Sequence, residues 1–141
     1  MAAYLQLSED QHDHAKNFPT RVYLDGKEAK NWLEVGASAW GKDDQLAADF
    51  SNYGKKSVDL FAPGVKIYST TPGNTYESED GTSMASPAAA GVAALLVSYF
   101  PDLKPGLVID ILRKSSRKFD GLKVQKPGGG KADFGDLSNT G

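Results

Sequence analysis

One long apolar segment dominates the pattern of hydrophobic and polar positions along this chain. From Met84 to Phe100 nearly every residue is small or apolar, and no polar face recurs at helical spacing. A helix without a polar face is typical of burial on all sides. Pro87 falls in the first turn, where its missing N–H removes no helical hydrogen bond, and Pro101 marks the end. The pattern predicts a central helix that starts at Ser83 and is buried all round.

Shorter patterns predict the elements on either side. Residues 31–38 and 58–62 are mainly apolar, as in buried strands, and residues 65–71 alternate in the manner of an edge strand or hairpin arm. Residues 105–117 carry one apolar face (Leu107, Val108, Ile111 and Leu112), as in a surface helix. Val22–Leu24 is a candidate short strand, and the stretch after residue 117 is predicted to be rich in loops. These elements predict an α/β fold with a mostly parallel sheet.

Composition narrows the range of functions only slightly. The chain has 141 residues, of which 40% are hydrophobic, enough for the core of a single domain. Its net charge is −2 with scattered Lys and Arg, so we expect no nucleic-acid partner. No cysteine is present, which removes thiolate and disulfide chemistry. Residues 1–20 are polar and show no targeting signal, and the Ala-rich helix is short for a membrane span, so we expect no membrane partner.

The candidate chemistry lies where the long helix begins. Gly81-Thr82-Ser83 places one hydroxyl beside the unpaired N–H groups and the positive dipole end of the helix. That position suits a nucleophile whose product oxyanion needs hydrogen-bond donors. The structural alternative is a helix cap, since Ser and Thr are favoured at helix starts.

The segment around Ser83 resembles a known nucleophile motif. Gly81-Thr82-Ser83-Met84-Ala85-Ser86-Pro87 is similar to the motif of subtilisin-like serine proteases (subtilases, peptidase S8). Residues 50–54, 60–64 and 69–74 also follow the family's order, and the resemblance covers roughly residues 17–122. One departure is Ala88, where many members carry His; that position is outside the catalytic triad.

The resemblance implies that Ser83 is the nucleophile and that its backbone N–H is an oxyanion donor. It implies a subtilisin-like α/β fold, a polypeptide substrate, and a secreted or cell-envelope location. The family's upstream Asp and His motifs have no match here. The chain's two histidines, His12 and His14, are expected to be solvated loop side chains, with a metal pair or a displaced base as the alternatives. The oxyanion asparagine is also unmatched, since Asn17 lacks its flanking pattern and Gly73-Asn74 resembles a different position of the family.

We therefore expect residues 1–141 to be the C-terminal part of a subtilisin-like catalytic domain, without the Asp/His half and the last C-terminal elements. Such a fragment of a serine endopeptidase is expected to be nearly inactive alone. It is expected to depend on the missing half or to self-associate. The alternative is a non-catalytic subtilase-like module that binds peptides or supports a larger assembly. The resemblance implies no required cofactor; structural calcium is common in the family, but Asp43 and Asp44 alone do not assign a site.

Three other site patterns are incomplete in this sequence. A nucleophile elbow needs Gly at the position of Ala85 and a histidine after the serine. Ser115-Ser116-Arg117-Lys118 is a Ser-x-x-Lys match without a partner motif. Residues 36–43 nearly spell a phosphate loop, but Asp43 replaces the metal-binding hydroxyl and would repel phosphate.

Overall fold

The computed structural model describes residues 21–41 and 43–140. Two helices and six strands make up its regular structure. The strands are β1 (Val35–Ser38), β2 (Leu60–Pro63), β3 (Ile67–Thr71), β4 (Thr75–Glu79), β5 (Lys123–Gln125) and β6 (Lys131–Asp133). The helices are α1 (Thr82–Tyr99) and α2 (Pro105–Ser115). The mix of helices and strands agrees with the predicted α/β class.

The main core lies between α1 and a parallel pair of strands. β1 and β2 pair in parallel, with Val35 opposite Leu60. The start of α1 packs on this pair, and Ala85 is fully buried. Small residues allow close contact: an added Cβ at Gly36 would lie 2.8 Å from the Phe61 ring. The two predicted buried strands are therefore present, each shorter than its apolar run.

The prediction of a mostly parallel sheet is not confirmed within the described residues. Of their three strand pairs, only β1–β2 is parallel, while β3–β4 and β5–β6 are antiparallel hairpins. The reason is connection length, because a turn of a few residues can join only antiparallel strands. Between β3 and β4 the chain turns through Pro72, Gly73 (φ 87°) and Asn74 (φ 60°). The polar sequence did not predict strand β4 of the first hairpin or strands β5 and β6 of the second.

The prediction that α1 is buried on all sides is wrong. Its buried residues all lie near the N-terminus (Thr82, Ala85, Ser86 and Ala89). Farther along, Val92 is 50% exposed, Leu95 61% and Tyr99 78%. An 18-residue helix is about 27 Å long, whereas a four-residue strand covers about 13 Å, so β1 and β2 cannot cover it. By length and composition α1 also meets the minimum for a membrane span, but its N-terminal half packs in the protein core.

The second helix and the last third of the chain complete the packing. In α2, Val108 and Leu112 are buried in the main core, as the predicted apolar face requires. Leu107, which belongs to the same predicted face, is 50% exposed. Residues after 117 were predicted to be mostly loop, yet they form the β5–β6 hairpin and a 3-10 turn at Phe134–Asp136. A second cluster of buried residues fixes this region (Leu46, Ala47, Val124, Phe134 and Leu137).

A partly buried charge network ties the starts of the parallel strands together. Arg21 Nη2 lies 2.5 Å from Glu34 Oε2 and 2.9 Å from Asp59 Oδ2. The Glu34 backbone N–H also donates to Asp59 Oδ2 at 2.9 Å. Burial raises the pKa of Glu34, and the nearby Arg21 guanidinium opposes that rise only in part. Because the folded state favours protonated Glu34, this residue contributes more stability at acidic pH than at neutral pH.

Candidate active site

Ser83 is the second residue of α1 and lies at the protein surface. The helix begins at Thr82, one residue earlier than the sequence predicted, and the Ser83 side chain is exposed. The residue at the N-cap, Gly81, provides no side-chain cap. Within residues 21–41 and 43–140, neither the Ser83 hydroxyl nor its backbone N–H has a hydrogen-bond partner. Both groups are therefore available to a molecule that approaches this end of the helix.

The turn before Ser83 is held against the end of β2. The Gly81 N–H donates to the Gly64 carbonyl at 2.7 Å. An added Cβ at Gly64 would lie 2.7 Å from both the Ala37 Cβ and the Gly81 carbonyl oxygen, and 3.2 Å from the Ala85 Cβ. Glycine is required at position 64 because the strand, the turn and the helix meet there without space for a methyl group.

A second contact lies at the base of the β3–β4 hairpin. Lys66 has φ 55°, in the left-handed region that few non-glycine residues adopt. Its backbone N–H donates to Asp80 Oδ1 at 2.6 Å. The sequence pattern gave no indication of a role for Lys66, and it placed Asp80 in a polar segment that leads to the Gly-Thr-Ser turn. The sequence feature that could have indicated this contact is an Asp directly before the Gly-Thr-Ser turn.

The other polar residues near Ser83 differ in burial. Thr82 and Ser86 are buried, and Met84 is half-buried, as expected for packing residues. Glu77 is exposed on β4 and Glu79 is half-buried at its end. Neither carboxylate forms an ion pair with another described residue.

The structure brings none of the remaining sequence candidates to Ser83. His12, His14 and Asn17 lie outside the described residues. Asp43 Oδ1 accepts a hydrogen bond from the Gln45 N–H, and Asp44 Oδ2 lies 3.8 Å from Lys131 Nζ. The described part of the chain contains no group of three or more His, Cys, Asp or Glu residues that could hold a metal ion.

The Ser-x-x-Lys match and the near phosphate loop both have structural roles. The Ser115 and Ser116 hydroxyls both donate to the Leu112 carbonyl, at 3.4 Å and 2.8 Å. Gly36 lies inside the buried strand β1 against the Phe61 ring, so its backbone cannot approach a phosphate. The structure therefore gives no support to Ser-Lys catalysis or to nucleotide binding.

Comparison with known proteins finds similarity over most of this chain. Residues 14–134 match the family model described as the subtilase family, peptidase S8. Subtilisin DY of Bacillus licheniformis is 52% identical over 76 residues, which are 54% of this chain and 26% of that protein. The cell wall-associated protease of Bacillus subtilis (strain 168) is 41% identical over 112 residues, 77% of this chain and 12% of that protein.

The structure of this chain also matches a solved structure. The crystal structure of a cold-adapted subtilisin-like serine proteinase matches with a TM-score of 0.58 at 31% sequence identity. The match covers 78% of this chain and 36% of that chain. This chain thus spans about a third of the solved structure, 26% of subtilisin DY and 12% of the cell wall-associated protease.

Proposed function

Because this chain belongs to the subtilase family, we propose that it is the nucleophile-bearing part of a serine endopeptidase and that Ser83 is the nucleophile. The observation that carries the proposal is Ser83 itself. It combines an exposed hydroxyl with a backbone N–H that has no acceptor among the described residues, at the N-terminus of an 18-residue helix. A nucleophile and an oxyanion donor on one residue are what acyl transfer requires.

The proposed reaction is hydrolysis of a peptide bond through an acyl-enzyme. Ser83 Oγ attacks the peptide carbonyl carbon while a histidine base takes the hydroxyl proton and then gives it to the leaving amine. The carbonyl oxygen becomes an oxyanion and accepts a hydrogen bond from the Ser83 N–H. Water then attacks the ester, and Ser83 recovers its proton. Helix α1 supports the oxyanion because its N-terminus carries partial positive charge.

The histidine base, its carboxylate partner and a second oxyanion donor are needed in addition to Ser83. The described part of the chain has no histidine. We propose that these groups belong to the part of the catalytic domain that this chain does not span. In subtilisin itself, loss of triad members lowers turnover by about 10⁴–10⁶. The isolated chain is therefore expected to be nearly inactive.

The exposed stripe of α1 supports the same proposal. Val92, Leu95 and Tyr99 are at least half exposed and recur every three or four residues, so they share one face. Phe100, 60% exposed, extends the apolar surface. Exposed apolar side chains that share one face of a helix are typical of a surface that another part of a protein covers. We propose that the rest of the catalytic domain covers it and that the chain alone self-associates through it.

Two further proposals follow from the family. The substrate is a polypeptide, and the protein acts outside the cell or in the cell envelope. The second statement is supported by the Bacillus subtilis relative that is named for its association with the cell wall.

A fluorophosphonate probe tests the proposed function, since it labels activated serines. The natural protein that contains this chain should be labelled at Ser83 and should hydrolyse peptides. The Ser83→Ala variant should lose both, while the control Ser98→Ala, an exposed serine on the same helix, should keep both. The isolated chain should show little labelling. If the natural protein is not labelled at Ser83, the proposal is wrong and the non-catalytic subtilase-like module is favoured.

A further inference from the structure

The base of the β3–β4 hairpin is closed by a side chain instead of by the strand ladder. The last paired residues are Ile67 and Glu79, so Lys66 and Asp80 would come next in register. Lys66 leaves the strand conformation, with φ 55°, and Asp80 leads the backbone into the turn before Ser83. The Asp80 carboxylate accepts the Lys66 N–H at 2.6 Å in place of a backbone acceptor.

Two neighbouring hydrogen bonds therefore connect the same two segments. Asp80 accepts from the Lys66 N–H, and the Gly81 N–H donates to the Gly64 carbonyl at 2.7 Å. Gly64 and Lys66 belong to the corner between β2 and β3, which follows a strand of the main core. The corner is thus a fixed support for the two residues that precede Thr82 and Ser83.

Ser83 depends on that support because its own side chain has none. Its hydroxyl has no described hydrogen-bond partner and its side chain is exposed, so the backbone of the turn determines where both the hydroxyl and the N–H lie. A misplacement of about 1 Å at a reacting group can lower a rate by about 100-fold. A small rotation of the turn would therefore matter for chemistry even if the fold survived.

We propose that Asp80 is a positioning residue, whose carboxylate holds the left-handed Lys66 corner against the turn and so fixes Ser83 for attack. The proposal rests on the proposed function of Ser83. A hydrogen bond from an N–H to a carboxylate is about twice as strong as one between neutral groups. Without it, Lys66 is free to relax to negative φ, and the corner no longer determines the direction of the turn.

Amide hydrogen exchange of the ¹⁵N-labelled natural protein that contains this chain tests the contact directly. Asp80→Ala removes the acceptor, Asp80→Asn keeps one acceptor oxygen, and Glu77→Ala is the control, an equal loss of charge on the exposed part of β4. We expect the Lys66 amide to exchange about 10- to 100-fold faster in Asp80→Ala. Asp80→Asn should restore most of the protection, and Glu77→Ala should leave it unchanged. The Ser83 amide resonance should shift in Asp80→Ala alone.

The natural protein tests the consequence for chemistry. In Asp80→Ala we expect kcat per labelled site to fall about tenfold or more while KM stays near the wild-type value, with Asp80→Asn largely restored. If the natural protein has no Ser83-dependent activity, the proposed function fails, and the Ser83 amide shift alone decides the positioning role. Unchanged Lys66 exchange in Asp80→Ala overturns the inference. Faster Lys66 exchange with an unmoved Ser83 resonance and unchanged kcat also overturns it, because Asp80 would then support only the hairpin.

Discussion

Replacing Gly64 with alanine should destabilise the protein strongly because three elements meet at this residue. The added methyl carbon would lie 2.7 Å from the Ala37 Cβ, 2.7 Å from the Gly81 carbonyl oxygen and 3.2 Å from the Ala85 Cβ. Nonbonded carbon atoms prefer separations of about 3.5–4.0 Å, so β1 and the turn must each move by up to about 1 Å. Overpacking of this kind costs about 1–3 kcal/mol.

The movement also strains a hydrogen bond. The Gly81 N–H donates to the Gly64 carbonyl at 2.7 Å, and its weakening adds about 1 kcal/mol. The expected total is about 2–4 kcal/mol, a large part of the 5–15 kcal/mol that is typical of folded domains. Urea denaturation followed by tryptophan fluorescence measures this change, because half-buried Trp32 lies near the main core.

Gly91→Ala is the matched control for this substitution. Gly91 lies inside α1, and an added Cβ there meets no atom within 4 Å. Alanine should therefore raise the free energy of unfolding by about 0.5–1 kcal/mol through helix propensity. The reasoning is refuted if Gly64→Ala unfolds at the same urea concentration as the wild type, or if Gly91→Ala is the more destabilised variant.

Three further predictions concern charge, the candidate nucleophile and the apolar stripe. Because burial raises the pKa of Glu34 above 4.5, native Glu34 binds protons more readily than unfolded Glu34. The free energy of unfolding of the wild type, relative to that of Glu34→Gln, should therefore fall as pH rises from 4.5 through the raised pKa. Urea titrations at a series of pH values measure this difference. A flat difference would contradict the assigned burial. Ser83→Ala should change the unfolding free energy by less than about 0.5 kcal/mol, because the exposed side chain has no described partner; a larger loss in urea denaturation would indicate a structural role. Leu95→Lys places a charge on a side chain that is 61% exposed, so light scattering should show less self-association; a wild-type chain that is already monomeric would count against the proposed interface.

The sequence identified the candidate site because its information is local. The order Gly81-Thr82-Ser83, followed by small residues and by Pro87, indicates both a helix start and a nucleophile motif without reference to the rest of the fold. The family resemblance that this motif carried is confirmed by the match over residues 14–134. The role of Ser83 remains a prediction, since the comparisons match the whole segment and do not test the residue.

The sequence failed where burial and pairing depend on distant residues. The apolar segment after Ser83 predicted burial on every side, but burial depends on what lies beside the helix, and the fully buried residues of α1 all lie in its first half. The polar strand β4 was not predicted because its residues face solvent on both sides and show no apolar alternation. Its pairing comes from the Pro72–Asn74 turn and from β3.

By itself, then, the sequence determined the helix that carries Ser83, the family, and the chemistry that a serine at a helix N-terminus can perform. Tertiary structure decided what holds that serine in place. The hydrogen bond from the Gly81 N–H to the Gly64 carbonyl joins residues 17 positions apart, and the bond from the Lys66 N–H to Asp80 joins residues 14 positions apart. Neither can be deduced from local patterns, because a glycine with no space for a methyl group and a lysine in the left-handed region are defined by what surrounds them. The apolar stripe of α1 is the converse case, since it is apolar by sequence but exposed by structure.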